Sequence, residues 1–244
     1  MLACGMVGSA HGWREAAYAS CPLPLDQLHR HLTVVEAGAG VKVHIVPGVR
    51  DRGADGLPDV MRGEETQLLG LLATQPGLAQ AATIVLPGTH SKWVRLQQGR
   101  LQGFATRMTG EQFALLREHS VLGRLMAPAE TFDSAAFTRG VAAARSSGGA
   151  DLGRLLFSVR TLGLFSELPA TGLEDYLSGL LIGVELAAAL PACAATAPLV
   201  LVGEAALCER YLLAFGLWGR EASVGAGPMA ALGLWQVAQQ AGWC

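Results

Sequence analysis

Short apolar runs that stop at glycine or proline alternate along this chain with longer stretches whose apolar residues recur every three or four positions. The runs are Val41 to Val46 before Pro47-Gly48, Thr83 to Leu86 before Pro87-Gly88, and Leu199 to Val202 before Gly203. Continuous aliphatic and β-branched runs of this kind predict buried strands of an α/β sheet. Trp93-Val94-Arg95-Leu96, followed by Gln97-Gln98-Gly99-Arg100, predicts a hairpin arm and its turn. Helical spacing predicts helices over 63–74, 109–125, 152–164, 171–190, 204–217 and 228–240. The last has Pro228 in its first turn, after Gly225-Ala226-Gly227. Ala127 to Gly149, with Ala-Pro-Ala at one end and Ser146-Ser147-Gly148-Gly149 at the other, reads as a linker. The pattern predicts an α/β fold.

Composition narrows the classes. The 244 residues are 51% hydrophobic and 16% charged, and the mean hydropathy is +0.34. That excludes a disordered chain, which needs low hydrophobicity and high net charge. A formal net charge of −2 gives no polyanion-binding surface, so nucleic acid is not an expected partner. Tyr176 to Gly203 carries one charge, Glu185, yet Pro191 and Pro198 interrupt it. A membrane span needs about 20 consecutive apolar residues, so the stretch predicts a buried helix and strand, with no membrane partner. Met1 to Ala10 lacks a signal-peptide pattern, and the five cysteines form no CxxC pair or His/Cys cluster. Reduced thiols in a cytoplasmic protein are the expectation. Only two of the 18 basic residues are lysine, Lys42 and Lys92, which draws notice to the setting of each.

Lys92 stands in the strongest local signal, Leu86-Pro87-Gly88-Thr89-His90-Ser91-Lys92-Trp93. A strand ending in a glycine turn can aim successive N–H groups at phosphate oxygens. The spacing of a Walker A loop is absent, and an ordinary hairpin with polar decoration is the competing reading. In Met61-Arg62-Gly63-Glu64-Glu65-Thr66, Glu65 shares a helix face with Leu68, Leu69 and Leu72. A carboxylate on that face wants a cation or a proton donor, although acidic residues at a helix start are also common for the dipole alone. Gly5 to Trp13 is a glycine-rich loop with a serine and a tryptophan, fit for a small polar ligand or merely a turn. Val202-Gly203-Glu204 joins a strand to a helix, where a glycine admits a planar ligand or only serves the turn. Arg160 suits an anion, but an arginine among apolar residues more often pairs structurally.

In this order the segments resemble the 2-dehydro-3-deoxygalactonokinase family, sugar-acid kinases of the actin/hexokinase-like superfamily. The resemblance rests on Gly5-Met6-Val7-Gly8-Ser9 with Gly12-Trp13, Pro58 to Gln67, Leu86 to Trp93 and Met108-Thr109-Gly110-Glu111. It continues through Phe113 to Leu116, Phe157 to Gly163, and Tyr176 to Gly183. It implies two ribonuclease-H-like domains around a cleft. The remainder of the first would occupy 1–80 and the second 81–226, with 227–244 a helix returning towards the first.

The implied reaction moves the γ-phosphoryl of ATP, with Mg²⁺, to the 6-hydroxyl of 2-dehydro-3-deoxy-D-galactonate. On this resemblance Gly88, Thr89, His90, Ser91 and Lys92 form a phosphate loop, and Gly203 and Glu204 an adenosine loop. Gly8, Ser9, Trp13 and Arg62 meet the sugar acid. Glu64 and Glu65 divide proton acceptance and metal binding, with Glu65 as the metal ligand. The family's opening Asp and Gly-Thr-Thr turn do not precede Gly5, which implies an N-terminally truncated form with little activity. An inactive sugar-acid-binding relic and a kinase for another 2-keto-3-deoxy sugar acid are the alternatives, and a homodimer is left open.

Overall fold

The computed structural model describes residues 1–244 as an α/β protein with three sheets and seven α-helices. In chain order the strands are β1 (Leu2–Ala3), β2 (Tyr18–Ser20), β3 (Leu23–Pro24), β4 (Thr33–Glu36), β5 (Lys42–Ile45), β6 (Gly48–Arg52) and β7 (Pro58–Met61), leading into α1 (Glu64–Thr74). Next come β8 (Ala81–Leu86), β9 (Ser91–Gln97), β10 (Arg100–Arg107), α2 (Thr109–His119), α3 (Ser134–Ser146), α4 (Leu152–Leu164) and α5 (Leu173–Ala189). The chain closes with β11 (Leu199–Leu201), α6 (Ala205–Leu217), β12 (Ser223–Val224) and α7 (Met229–Gln240).

The main sheet runs β12-β11-β8-β9-β10-β3, and the predicted strands at 83–86, 93–96 and 199–202 all lie in it. Its inner strands are buried on both faces, which is why their sequences are apolar without a break. Ala82, Ile84, Leu86, Val94, Leu96 and Val200 face one layer with Leu68, Leu71, Met229 and Val237 of α1 and α7. Val85, Trp93, Leu199 and Leu201 face the other, against Phe137, Ile182, Tyr211 and Phe215 of α3, α5 and α6. The segment 41–46 differs from expectation. β5 pairs with β1 and β4 in a small sheet that buries Val43 and Ile45 but leaves Lys42 exposed, so it is a one-faced strand.

The third sheet, β2-β6-β7, docks against the outer edge of β10. β3 pairs with only Arg100 and Leu101 there. Further along, the Phe104 N–H donates to Asp51 Oδ2 at 3.0 Å and the Thr106 N–H to Asp59 Oδ2 at 2.7 Å. Thr106 Oγ1 also donates to Asp59 Oδ1 at 2.6 Å. Two carboxylates thereby cap a strand edge that would otherwise present open donors.

The expected linker at 127–149 is instead mostly helix. α3 starts at Asp133, whose side chain accepts from the N–H groups of Ala135 and Ala136, and it buries Phe137, Gly140, Val141 and Ala144. α3 and α5 touch backbone to backbone. A Cβ on Gly140 would collide with the Tyr176 carbonyl, and one on Gly179 with the Phe137 carbonyl. Small residues that look like linker composition are what this contact requires. The helix expected over 109–125 stops at His119, because Ser120 turns extended and its Oγ receives the Leu122 N–H at 3.0 Å. A short 3-10 turn, Gly123–Leu125, follows. Pro228 is the N-cap of α7, one position before the first turn.

Gly179→Ala should therefore destabilise the fold although alanine favours helices. Overpacking of this kind costs about 1–3 kcal/mol, against a propensity gain of about 1 kcal/mol. A lowered urea midpoint is the expected result, and an unchanged one would mean that the helices separate freely.

Candidate active site

A cleft of about 850 Å³ lies where several predicted segments converge. Arg62, Gly63 and Glu64 line it from the start of α1, Gly88, Thr89 and His90 from the β8–β9 turn, and Gly203 and Glu204 from the start of α6. The sequence reading missed the fourth wall, Gly225 to Met229 with Ala230 and Ala231, which opens α7. Its signal was the Gly225-Ala226-Gly227-Pro228 turn, read only as a helix start. Three helix N-termini thus border one cleft, each with a partial positive charge that favours an anion, although the Glu204 carboxylate already takes two N–H groups of α6.

The turn is held from below by α2. Gly110 sits so close that a Cβ there would collide with the Gly88 carbonyl, and the Glu111 N–H donates to the Thr89 carbonyl at 2.9 Å. His90 Nε2 lies 2.5 Å from Glu111 Oε2. Ser91 and Lys92 leave the turn in opposite senses, as successive strand residues must. Ser91 is fully buried and donates to Glu185 Oε1 at 2.7 Å, away from the cleft. The Lys92 side chain, 5% exposed, reaches across to α1, its Nζ 3.6 Å from Glu64 Oε1.

Glu64 and Glu65 have opposite settings. Gly63 starts the helix at φ 111°, in the left-handed region, with Gly5 packed so close that a Cβ would approach its Cα to 3.2 Å. From there Glu64 opens onto the cleft, its Oε2 accepting the Arg62 N–H at 3.0 Å. Glu65 is 0% exposed. Its Oε2 accepts the Gly63 N–H at 2.7 Å and its Oε1 the Thr66 hydroxyl at 2.9 Å. Burial pushes its pKa up to about 7, against the lowering pull of those hydrogen bonds. Desolvation outweighs those bonds. The expected metal ligand Glu65 is corrected: it lies beneath the cleft, enclosed, and the carboxylate facing the cleft is Glu64.

Of the residues expected on the sugar acid, Gly8 and Arg62 meet. The Arg62 guanidinium lies 4.3 Å from the Tyr18 ring centroid and its Nη2 donates to the Ala16 carbonyl at 2.8 Å. Its Nε and Nη1 are buried without partners, as is Ser9 Oγ. Gly8 touches the same guanidinium, with room for only a hydrogen: a Cβ would stand 3.1 Å from Nη1. Trp13 is 52% exposed and does not line the cleft. Glu204 is spent on α6, its carboxylate accepting from Ala206 at 3.1 Å and Leu207 at 3.0 Å, which holds its pKa below the usual range. Arg160 donates to the Val121 carbonyl at 3.2 Å, a structural contact. No group of three His, Cys, Asp or Glu side chains forms a ready metal cage, and no helix is long and apolar enough to cross a membrane.

These features define an α/β protein with an anion-accepting cleft walled by glycine turns and helix starts. Residues 1–237 match the family described as 2-keto-3-deoxy-galactonokinase. A Rhizobium meliloti protein bearing the name 2-dehydro-3-deoxygalactonokinase is 41% identical over 213 residues, 86% of this chain and 68% of that one. An Escherichia coli 2-dehydro-3-deoxygalactonokinase is 38% identical over 226 residues, 93% of this chain and 73% of that one. A crystal structure from Sinorhizobium meliloti carrying the same enzyme name superposes with a TM-score of 0.88 at 39% identity, covering 98% of this chain and 78% of that one. The chain belongs to the 2-keto-3-deoxy-galactonokinase family.

The setting of Glu65 has a pH consequence. Its folded pKa exceeds the ordinary 4.5, so the folded state holds the proton more tightly than the unfolded state between pH 4.5 and about 7. Stability from this group is present below pH 4.5 and lost as pH rises to 7, on the order of 3 kcal/mol in all. Glu65→Gln, which carries no such charge, should gain stability relative to wild type between pH 5 and 8 in urea titrations. Parallel curves would refute the buried-charge account.

Proposed function

We propose that the chain phosphorylates the 6-hydroxyl of 2-dehydro-3-deoxy-D-galactonate with ATP, as a cytoplasmic enzyme of galactonate catabolism. The family membership supports the reaction. The observation that carries the site is Arg62, a guanidinium with two buried, unpartnered nitrogens. Buried donors left open cost free energy unless a ligand completes them, and a sugar-acid carboxylate fits a planar guanidinium. In this reading two ribonuclease-H-like lobes flank the cleft. Residues 1–80 supply the sugar-acid side and 81–226 the nucleotide side, and the last helix leans back on α1.

Phosphoryl transfer passes through a loose transition state, so positioning and charge neutralisation matter most. Gly88, Thr89 and His90 present the nucleotide phosphates with backbone N–H groups, and Gly203 borders the nucleoside. Lys92, 3.6 Å from Glu64, orients that carboxylate and adds positive charge below the phosphates. Glu64 orients the hydroxyl and accepts its proton. The donor set suits Mg²⁺, which commonly takes one or two carboxylates beside phosphates and water: Glu64 opens onto the cleft and no closed cage competes. When bound, that ion would neutralise charge on the transferring group, with Glu64 holding it from the protein side.

In a coupled ADP-release assay, Arg62→Ala should raise the sugar-acid KM at least tenfold, about 1.4 kcal/mol of binding, with the ATP KM little changed. Glu64→Gln should lower kcat by roughly 10²–10⁴-fold. Lys92→Ala should raise the ATP KM or lower kcat by about tenfold. Unaltered kinetics in Arg62→Ala would remove the sugar acid from this corner of the cleft.

A further inference from the structure

Glu185 lies in α5, 3% exposed, within the layer of Val85, Phe137, Ile182 and Leu186. No cation pairs with it. Four neutral donors satisfy it instead, two on each oxygen. Ser91 Oγ at 2.7 Å and Trp93 Nε1 at 2.6 Å donate to Oε1. Thr109 Oγ1, and Tyr211 Oη at 2.9 Å, donate to Oε2. An ionised carboxylate offers about four lone-pair sites, so every one is taken. Burying a carboxylate without a countercharge is unfavourable, and the same core would pack more easily around an apolar side chain.

The origin of the four donors explains why a carboxylate is there. Ser91 and Trp93 open β9 directly after the Gly88–His90 turn. Thr109 opens α2, whose next two residues, Gly110 and Glu111, press on Gly88 and Thr89. Tyr211 stands in α6, which begins beside Gly203 and Glu204 at the other wall of the cleft. One side chain thus ties the root of the Gly88–His90 turn to the helix that follows the Gly203 loop, without touching the cleft itself.

We propose that Glu185 is a positioning residue for nucleotide binding: its four hydrogen bonds fix the Gly88–His90 turn relative to the Gly203 loop. The inference rests on the kinase reading, because it is the nucleotide that these loops are taken to hold. Removing a donor loosens one root and weakens nucleotide affinity, while the sugar-acid corner at Arg62 keeps its shape.

The test uses Thr109→Val, which removes one donor at similar shape, and Thr109→Ser, which keeps the hydroxyl. Val159→Ala, in the layer between α4 and α5, serves as a destabilised control. Thr109→Val should raise the ATP KM at least fivefold and leave the sugar-acid KM within twofold, with Thr109→Ser close to wild type. Val159→Ala should lower Tm without moving either KM. Independently, the indole N–H resonance of Trp93 should shift when ADP is added to wild type, and Thr109→Val should reduce that shift. Equal changes in both KM values, or a Thr109→Val effect no larger than that of Val159→Ala, would overturn the proposal. So would ADP binding seen at other resonances with Trp93 unmoved. A wild-type chain that neither turns over nor responds to ADP anywhere would overturn the kinase reading, and the positioning role with it.

Discussion

A charge placed in an apolar interior must be met on every side, and Glu185 shows how strongly that condition shapes this protein. The carboxylate has no cation, so its satisfaction depends on four donors from three other elements arriving together. Partial satisfaction would leave a buried polar group open, at a cost of about 1–3 kcal/mol for each missing partner. The four bonds therefore join the main sheet, α2 and α6 to α5 at a single point. Glu65 obeys the same condition with fewer partners, and its raised pKa is the residue of that shortfall.

The cleft is the surface expression of this interior. Loop Gly88–His90 is short and its side chains are exposed, yet its backbone rests on α2 and on strands buried from both faces. Arg62 is anchored separately, by the Ala16 carbonyl and the Tyr18 ring, in the part of the chain that caps β10 through Asp51 and Asp59. The two regions face one another across the cleft and are joined by the Lys92–Glu64 contact.

The elements legible in the sequence were those whose patterns owe little to partners. β8, β11 and α4 sit where the apolar runs and the helical spacing placed them. α3 was hidden because its alanines and Gly140 are chosen by the backbone of α5, and residues so chosen resemble a linker. β10 was hidden because the backbone N–H groups of Phe104 and Thr106 are met by carboxylates distant in sequence. In the site, the spacing of Glu65 from Leu68, Leu69 and Leu72 already placed it on the buried face, while the consequence for metal binding needed the surrounding atoms. The inward turn of Ser91 was legible only as strand alternation, whose phase depends on which face meets α5. Glu185 announced itself as the one charge in an apolar stretch, a signal that composition can raise but not interpret.

The contact between α1 and α7 has a mechanical consequence. A Cβ on Gly70 would strike the Met229 carbonyl and one on Gly233 the Thr66 carbonyl, so the two helices meet with no side chains between them. Helices packed this closely resist sliding past one another, because neither surface has side chains there that can yield. Because the N-terminal ends of both line the cleft, this backbone contact couples the position of the Glu64 side to that of the Pro228 side.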